Sequence, residues 1–92
     1  MIAWRLVIRG RVQGVGYRVA IAEAASALGV AGWARNRRDG TVEALVQGDN
    51  VVVERLLAWC RRGPPGARVA EVTAIALEAE TAIDDFACRA TE

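Results

Sequence analysis

The chain contains no histidine and no lysine, and all 12 of its basic residues are arginine. There is therefore no imidazole to serve as acid, base or metal ligand, and no amine to form a Schiff base. Cysteine is scarce: Cys60 and Cys88 stand 28 positions apart, with no CxxC spacing. That pattern argues against a metal site, and both thiols read as small buried hydrophobes in a reducing compartment. No apolar run approaches the roughly 18–20 residues needed to cross a bilayer. Arg5, Arg9 and Arg11 interrupt the stretch where a signal peptide needs an apolar core. The expectation is a cytoplasmic protein with no membrane partner. An enzyme drawn from this set of residues has to work by holding and polarising its substrate.

What is present fits one small domain, residues 1–92. Apolar types make up 53% of the chain and the net charge is only +1, which excludes disorder. Eighteen of the apolar residues are alanine, so the core should be modest. The small net charge hides an asymmetry. Residues 1–38 hold seven arginines and one acid, Glu23, whereas residues 71–92 hold six acids and one arginine, Arg89. The N-terminal part is therefore suited to attract an anion, although a solvated surface of mixed sign gives the same count.

Periodicity places the elements. Trp4, Leu6 and Ile8 alternate with Arg5, Val7 and Arg9, a strand over residues 3–9. A glycine-containing loop follows, and then a helix over 17–28 with Ile21, Ala24, Ala25 and Leu28 on one face and Gly29 at its end. Residues 30–38 and 41–47 read as strands joined by the turn pair Asp39-Gly40. A second helix spans 50–62, capped by Asn50 or Asp49, with Val53, Leu56, Leu57 and Cys60 as its buried stripe. Gly63-Pro64-Pro65-Gly66 stops it, a long strand runs over 69–80, and a short one over 86–89. The order β-α-β-β-α-β plus a short strand is the ferredoxin-like split βαβ, an α+β sandwich with two helices on one face of a mostly antiparallel sheet.

That topology makes a prediction about chemistry. A right-handed strand-helix-strand crossover returns the second strand parallel to the first, so residues 10–18 and 35–38 should meet at one edge of the sheet. The first of these segments is Gly10-Arg11-Val12-Gln13-Gly14-Val15-Gly16-Tyr17-Arg18. Gly14 and Gly16 let backbone N–H groups converge into an anion nest, and the helix start adds free donors and a positive dipole end. Arg18 adds a charged fork, at a helix end where a cation alone opposes the dipole. A tight strand-to-helix turn with a solvated Arg18 accounts for the same glycines. Neither a P-loop nor a dinucleotide fingerprint fits, because the chain has no lysine and Val19 stands where a third glycine is needed. Across the edge lies Asn36, one of two asparagines. It either begins the hairpin turn or offers a carboxamide that can hold a water while leaving its lone pair free. Alternation sends Arg35 and Arg37 to the opposite face, where they read as contributors of long-range field, and Trp33 reads as packing.

The two segments together, residues 10–18 and 32–43, resemble the paired signatures of the acylphosphatase family, and the resemblance runs over essentially the whole chain. It implies hydrolysis of the carboxyl-phosphate bond of acyl phosphates, with no metal and no organic cofactor. It also implies that the amides of Gln13, Gly14, Val15, Gly16, Tyr17 and Arg18 bind the phosphoryl group. By the same resemblance Arg18 is the catalytic arginine, Asn36 positions the attacking water, and inorganic phosphate is product and inhibitor. Tyr17 stands where phenylalanine is frequent and Ala34 where valine is common. Two other readings compete. An RNA-binding sheet of this fold needs stacked aromatics in an RNP1 pattern, and none of the five aromatics here forms one, so no nucleic-acid partner is expected. A non-catalytic anion-binding module on the same fold is the alternative to an enzyme. A monomer is the default expectation for so small a pattern.

Overall fold

The computed structural model describes residues 1–80 and 82–92. Its elements are β1 (Ile2–Arg11), α1 (Tyr17–Leu28), β2 (Ala31–Asn36), β3 (Val42–Gly48), α2 (Asn50–Arg62), β4 (Arg68–Leu77) and β5 (Phe86–Cys88). The sheet order is β4-β1-β3-β2-β5, antiparallel throughout except that β5 runs parallel to β2. This is the ferredoxin-like arrangement with one added strand on the β2 side. The long fourth strand stops at Leu77 rather than 80. Its partner runs out, since Leu77 pairs with Ala3 near the start of β1. Beyond it the backbone bonds sideways, with the Glu80 N–H donating to Gln47 Oε1.

One face of the sheet presents Leu6, Ile8, Ala34, Val42, Ala44 and Val46 to the helices, all buried. From α1 come Tyr17, Ile21 and Ala25, and from α2 come Val53, Leu56, Leu57 and Cys60, the stripe its spacing predicts. Gly29 ends α1 in a left-handed conformation, its N–H and the next one closing back on Ser26 and Ala25. Asp49 takes the N-cap position of α2 but makes no side-chain capping bond. The β2–β3 hairpin forms where Asp39-Gly40 predicts it. Its loop has three residues: Gly40 N–H donates to Arg37 O (3.1 Å), and Arg37 N–H donates to Thr41 O (2.8 Å).

The other face carries an ion cluster. Glu43 is 3% exposed, and its carboxylate accepts from Arg5 Nε (2.6 Å), Arg35 Nε (2.7 Å) and Arg37 Nη1 (3.3 Å). The arginines expected to act at long range are therefore largely neutralised by direct pairing. Burial pushes the Glu43 carboxyl up, but bonds from Arg35 and Arg5 outweigh it and hold it below its ordinary value of 4.5. Trp33 packs on this face with the Arg35 and Arg89 guanidiniums 4.8 and 4.6 Å from its ring centroid. Cys60 is buried as expected. Cys88 is not: it lies exposed on β5, a three-residue edge strand outside the core.

Candidate active site

Strand register decides the site. Ile8 of β1 and Asn36 of β2 both pair with Val42 of β3, so the end of β1 and the end of β2 meet at one edge of the sheet. The loop after β1 climbs over that edge into α1. Gly14 and Gly16 take left-handed φ values of 75° and 76°, and a Cβ on either would meet nothing within 4 Å. Both sites are sterically open; it is the backbone turn that requires glycine. Gly16 is the N-cap of α1, with no side-chain capping bond and no acid in the first turn. The first intrahelical bond runs from Ala20 N–H to Gly16 O (3.0 Å). The N–H groups of the first turn are thus left without helical acceptors, beside a positive dipole end.

A cavity of about 250 Å³ opens here, lined by Val12, Gly14, Gly16, Tyr17, Arg18, Val19 and Asn36. Its volume is below the roughly 300–1,000 Å³ typical of sites for drug-sized ligands, so a group the size of a phosphoryl suits it better than a whole metabolite. Arg18 and Asn36, 18 positions apart in sequence, both face this space. Arg18 spends one donor on the Arg89 carbonyl (Nη1–O 2.9 Å), and the Cys88 thiol donates to the Arg18 carbonyl (3.3 Å). Among the described residues Arg18 has no carboxylate partner, unlike Arg5, Arg9, Arg35 and Arg37. Its charge is available to an anion. Asn36 has its backbone carbonyl tied to Glu92 N–H (3.0 Å), while its carboxamide makes no hydrogen bond among the described residues.

Two of the residues expected in the cradle send their side chains elsewhere. Val15 packs against the hydrophobic core. Gln13 reaches back to the hairpin, where Nε2 donates to the carbonyls of Arg37 (2.7 Å) and Thr41 (2.9 Å). Only their backbone amides remain for a ligand. Val12 and Val19 line the cavity and were not singled out from the sequence. Val19 is 60% exposed at the mouth, and the only signal for it was its place in the first turn of α1. Arg89, Cys88 and Glu92 had no local signal, because their role depends on β5 lying beside β2.

Fold and site together define an α+β sandwich that presents a small cavity, lined by two glycines, Arg18 and Asn36, at one sheet edge. Comparison with known proteins narrows the class. The acylphosphatase family profile matches residues 4–88. An acylphosphatase of Cupriavidus pinatubonensis is 54% identical over 72 residues, covering 78% of this chain and 80% of that one. One of Acidiphilium cryptum is 57% identical over 72 residues, covering 78% and 79%. The crystal structure of the Bacillus subtilis acylphosphatase superposes with a TM-score of 0.92 at 29% identity, over 97% of this chain and 99% of that one. The chain belongs to the acylphosphatase family. It is a hydrolase acting on acid anhydrides, with an acyl phosphate as substrate and inorganic phosphate as product.

Proposed function

We propose that Arg18 and Asn36 divide the chemistry between them. The amides of residues 13–18 and the Arg18 fork hold the three non-bridging phosphoryl oxygens, and the Asn36 carboxamide holds the attacking water in line with the bond to be broken. Phosphoryl transfer asks chiefly for such alignment and for stabilisation of charge on the equatorial oxygens. The leaving group is a carboxylate, whose conjugate acid has a pKa near about 4, so no general acid is needed. Water oxygen bonds to phosphorus, the phosphorus–acyl oxygen bond breaks, and its electron pair leaves with the carboxylate. Among the described residues no base lines the cavity, so the water's proton passes to a phosphate oxygen of the substrate. The enzyme acts without metal or cofactor, as a cytoplasmic monomer with one domain over residues 1–92 and no nucleic-acid partner.

The observation that supports this reading is the shared cavity: two glycines line one space with Arg18, which has no carboxylate partner among the described residues, and Asn36, whose carboxamide has no hydrogen bond among them. Phosphate release from benzoyl or acetyl phosphate, with EDTA present, tests it. Arg18→Ala should lose phosphate binding and at least ~10²–10³ in turnover, and Arg18→Lys should restore little, because a point charge does not reproduce the planar fork. Asn36→Ala should lose turnover by a similar factor and keep phosphate inhibition nearly intact. If Asn36→Ala instead loses phosphate affinity and keeps its rate, the roles are wrongly assigned. Phosphate binding without turnover in the unaltered protein would mean a non-catalytic module.

A further inference from the structure

The Gln13 side chain lies in the phosphate-binding loop yet does not line the cavity. Its amide nitrogen carries two hydrogens, and each has an acceptor in the β2–β3 hairpin: the carbonyls of Arg37 at 2.7 Å and Thr41 at 2.9 Å. Those two residues close the hairpin on each other, and the next rung down is the pair Asn36–Val42. Gln13 therefore grips the hairpin one residue beyond Asn36 while its own main chain belongs to the cradle. Among the described residues no backbone hydrogen bond joins residues 12–16 to the hairpin.

We infer that Gln13 is a positioning residue, whose carboxamide sets the distance between the phosphate cradle and the water-holding Asn36. This rests on the roles proposed above for Arg18 and Asn36. In-line attack tolerates little error, and a shift of about 1 Å in a reacting group costs on the order of 10²-fold in rate. Few side chains suit the task. Two carbonyls converge on one atom, so that atom has to offer two hydrogens. Lysine and arginine would bring an added charge, and a glutamate carboxylate would set acceptor against acceptor. The brace is also separable from folding. Arg37 O already accepts from Gly40 N–H, and Thr41 O from Arg37 N–H, so loss of the Gln13 amide leaves neither carbonyl without a donor.

The test uses the full chain and acyl phosphate turnover, with inorganic phosphate as the probe of the cradle. Gln13→Met keeps length and loses both donors. Its kcat should fall about 10–100-fold, while KM and the inhibition constant for phosphate change less than about threefold. In an Asn36→Ala background the same substitution should cost less than about threefold, since there is no longer an aligned water to misplace. Gln13→Glu supplies a readout that a purely structural role would not move. Its carboxylate is as poor as Met at neutral pH, but protonation restores one donor. Its kcat relative to the unaltered enzyme should rise at least about threefold between pH 7.5 and pH 5, with Gln13→Met flat over the same range. An equal loss in both backgrounds, a loss confined to phosphate affinity, or a flat Gln13→Glu profile overturns the inference and leaves the Asn36 assignment standing. An Asn36→Ala enzyme with undiminished kcat removes the water-holding role itself, and the brace with it.

Discussion

Tyr17 opens α1 with its ring 1% exposed and its hydroxyl donating to the Cys60 carbonyl at 2.8 Å. In an uninterrupted helix that carbonyl would accept from the residue four positions on, which is Pro64 and has no N–H. The neighbouring carbonyl of Trp59 is met by Gly63. Tyr17 therefore supplies the missing donor at the end of α2 while it also lines the cavity at the start of α1. Burial pushes its phenol far above the ordinary value of 10.0, so it remains a donor at any working pH. Tyr17→Phe should cost about 1–3 kcal/mol by stranding a buried carbonyl. Thermal denaturation would show this as a fall of several degrees, roughly 4–8 °C per kcal/mol at this size, with kcat little changed. A variant as stable as the parent would mean that water or a backbone shift satisfies the carbonyl instead.

At the scale of elements, Glu43 fastens three strands. It sits in β3, and its arginine partners come from β1 (Arg5), from β2 (Arg35) and from just past the end of β2 (Arg37). The carboxylate is buried while the arginines reach solvent, so replacement should cost about 2 kcal/mol, below the ~3–5 kcal/mol of a fully buried pair. The sign with pH follows from a folded-state pKa held below the unfolded one. Stabilisation is present in full above pH 4.5 and is lost as pH falls through the lower folded-state value. Urea midpoints of the parent and Glu43→Gln should therefore differ at neutral pH and converge as the pH falls below 4.5. A gap that stays constant would mean that packing, not charge, accounts for it. Alternation along β2 was enough to place Arg35 and Arg37 away from the helices. It was not enough to show that a single acid on the next strand pairs with both.

For the molecule as a whole, the two thiols part company. Burial pushes the Cys60 thiol up to about 12, outweighing the lowering effect of nearby Arg61. Cys88 is exposed on the edge strand. A thiol reagent at pH 8 should label one cysteine in the folded protein and two after denaturation, with Cys88 as the site found by peptide mapping. Labelling of Cys60 at a comparable rate would show that the packing between α2 and the sheet opens readily. The contrast was not legible in the composition, because cysteine is apolar enough to be read as core wherever it falls. What exposes Cys88 is the position of β5 at the sheet edge outside β2, with no further strand beyond it among the described residues.

The elements, their order and the helix stripes were set by the sequence alone, because each depends on local periodicity, turn residues and chirality. The meeting of residues 10–18 with Asn36 followed too, since a right-handed crossover between parallel strands leaves their ends no other place to go. Side-chain direction in the loop was not determined locally. Gln13 turns to the hairpin and Val15 to the core because carbonyls and apolar surface from distant segments wait there, and no spacing within nine residues encodes that. The Arg18–Arg89 contact, the Glu43 cluster and the Tyr17–Cys60 bond likewise join residues 6 to 71 positions apart. Only the register of the sheet and the packing of the helices on it bring such groups within hydrogen-bonding distance.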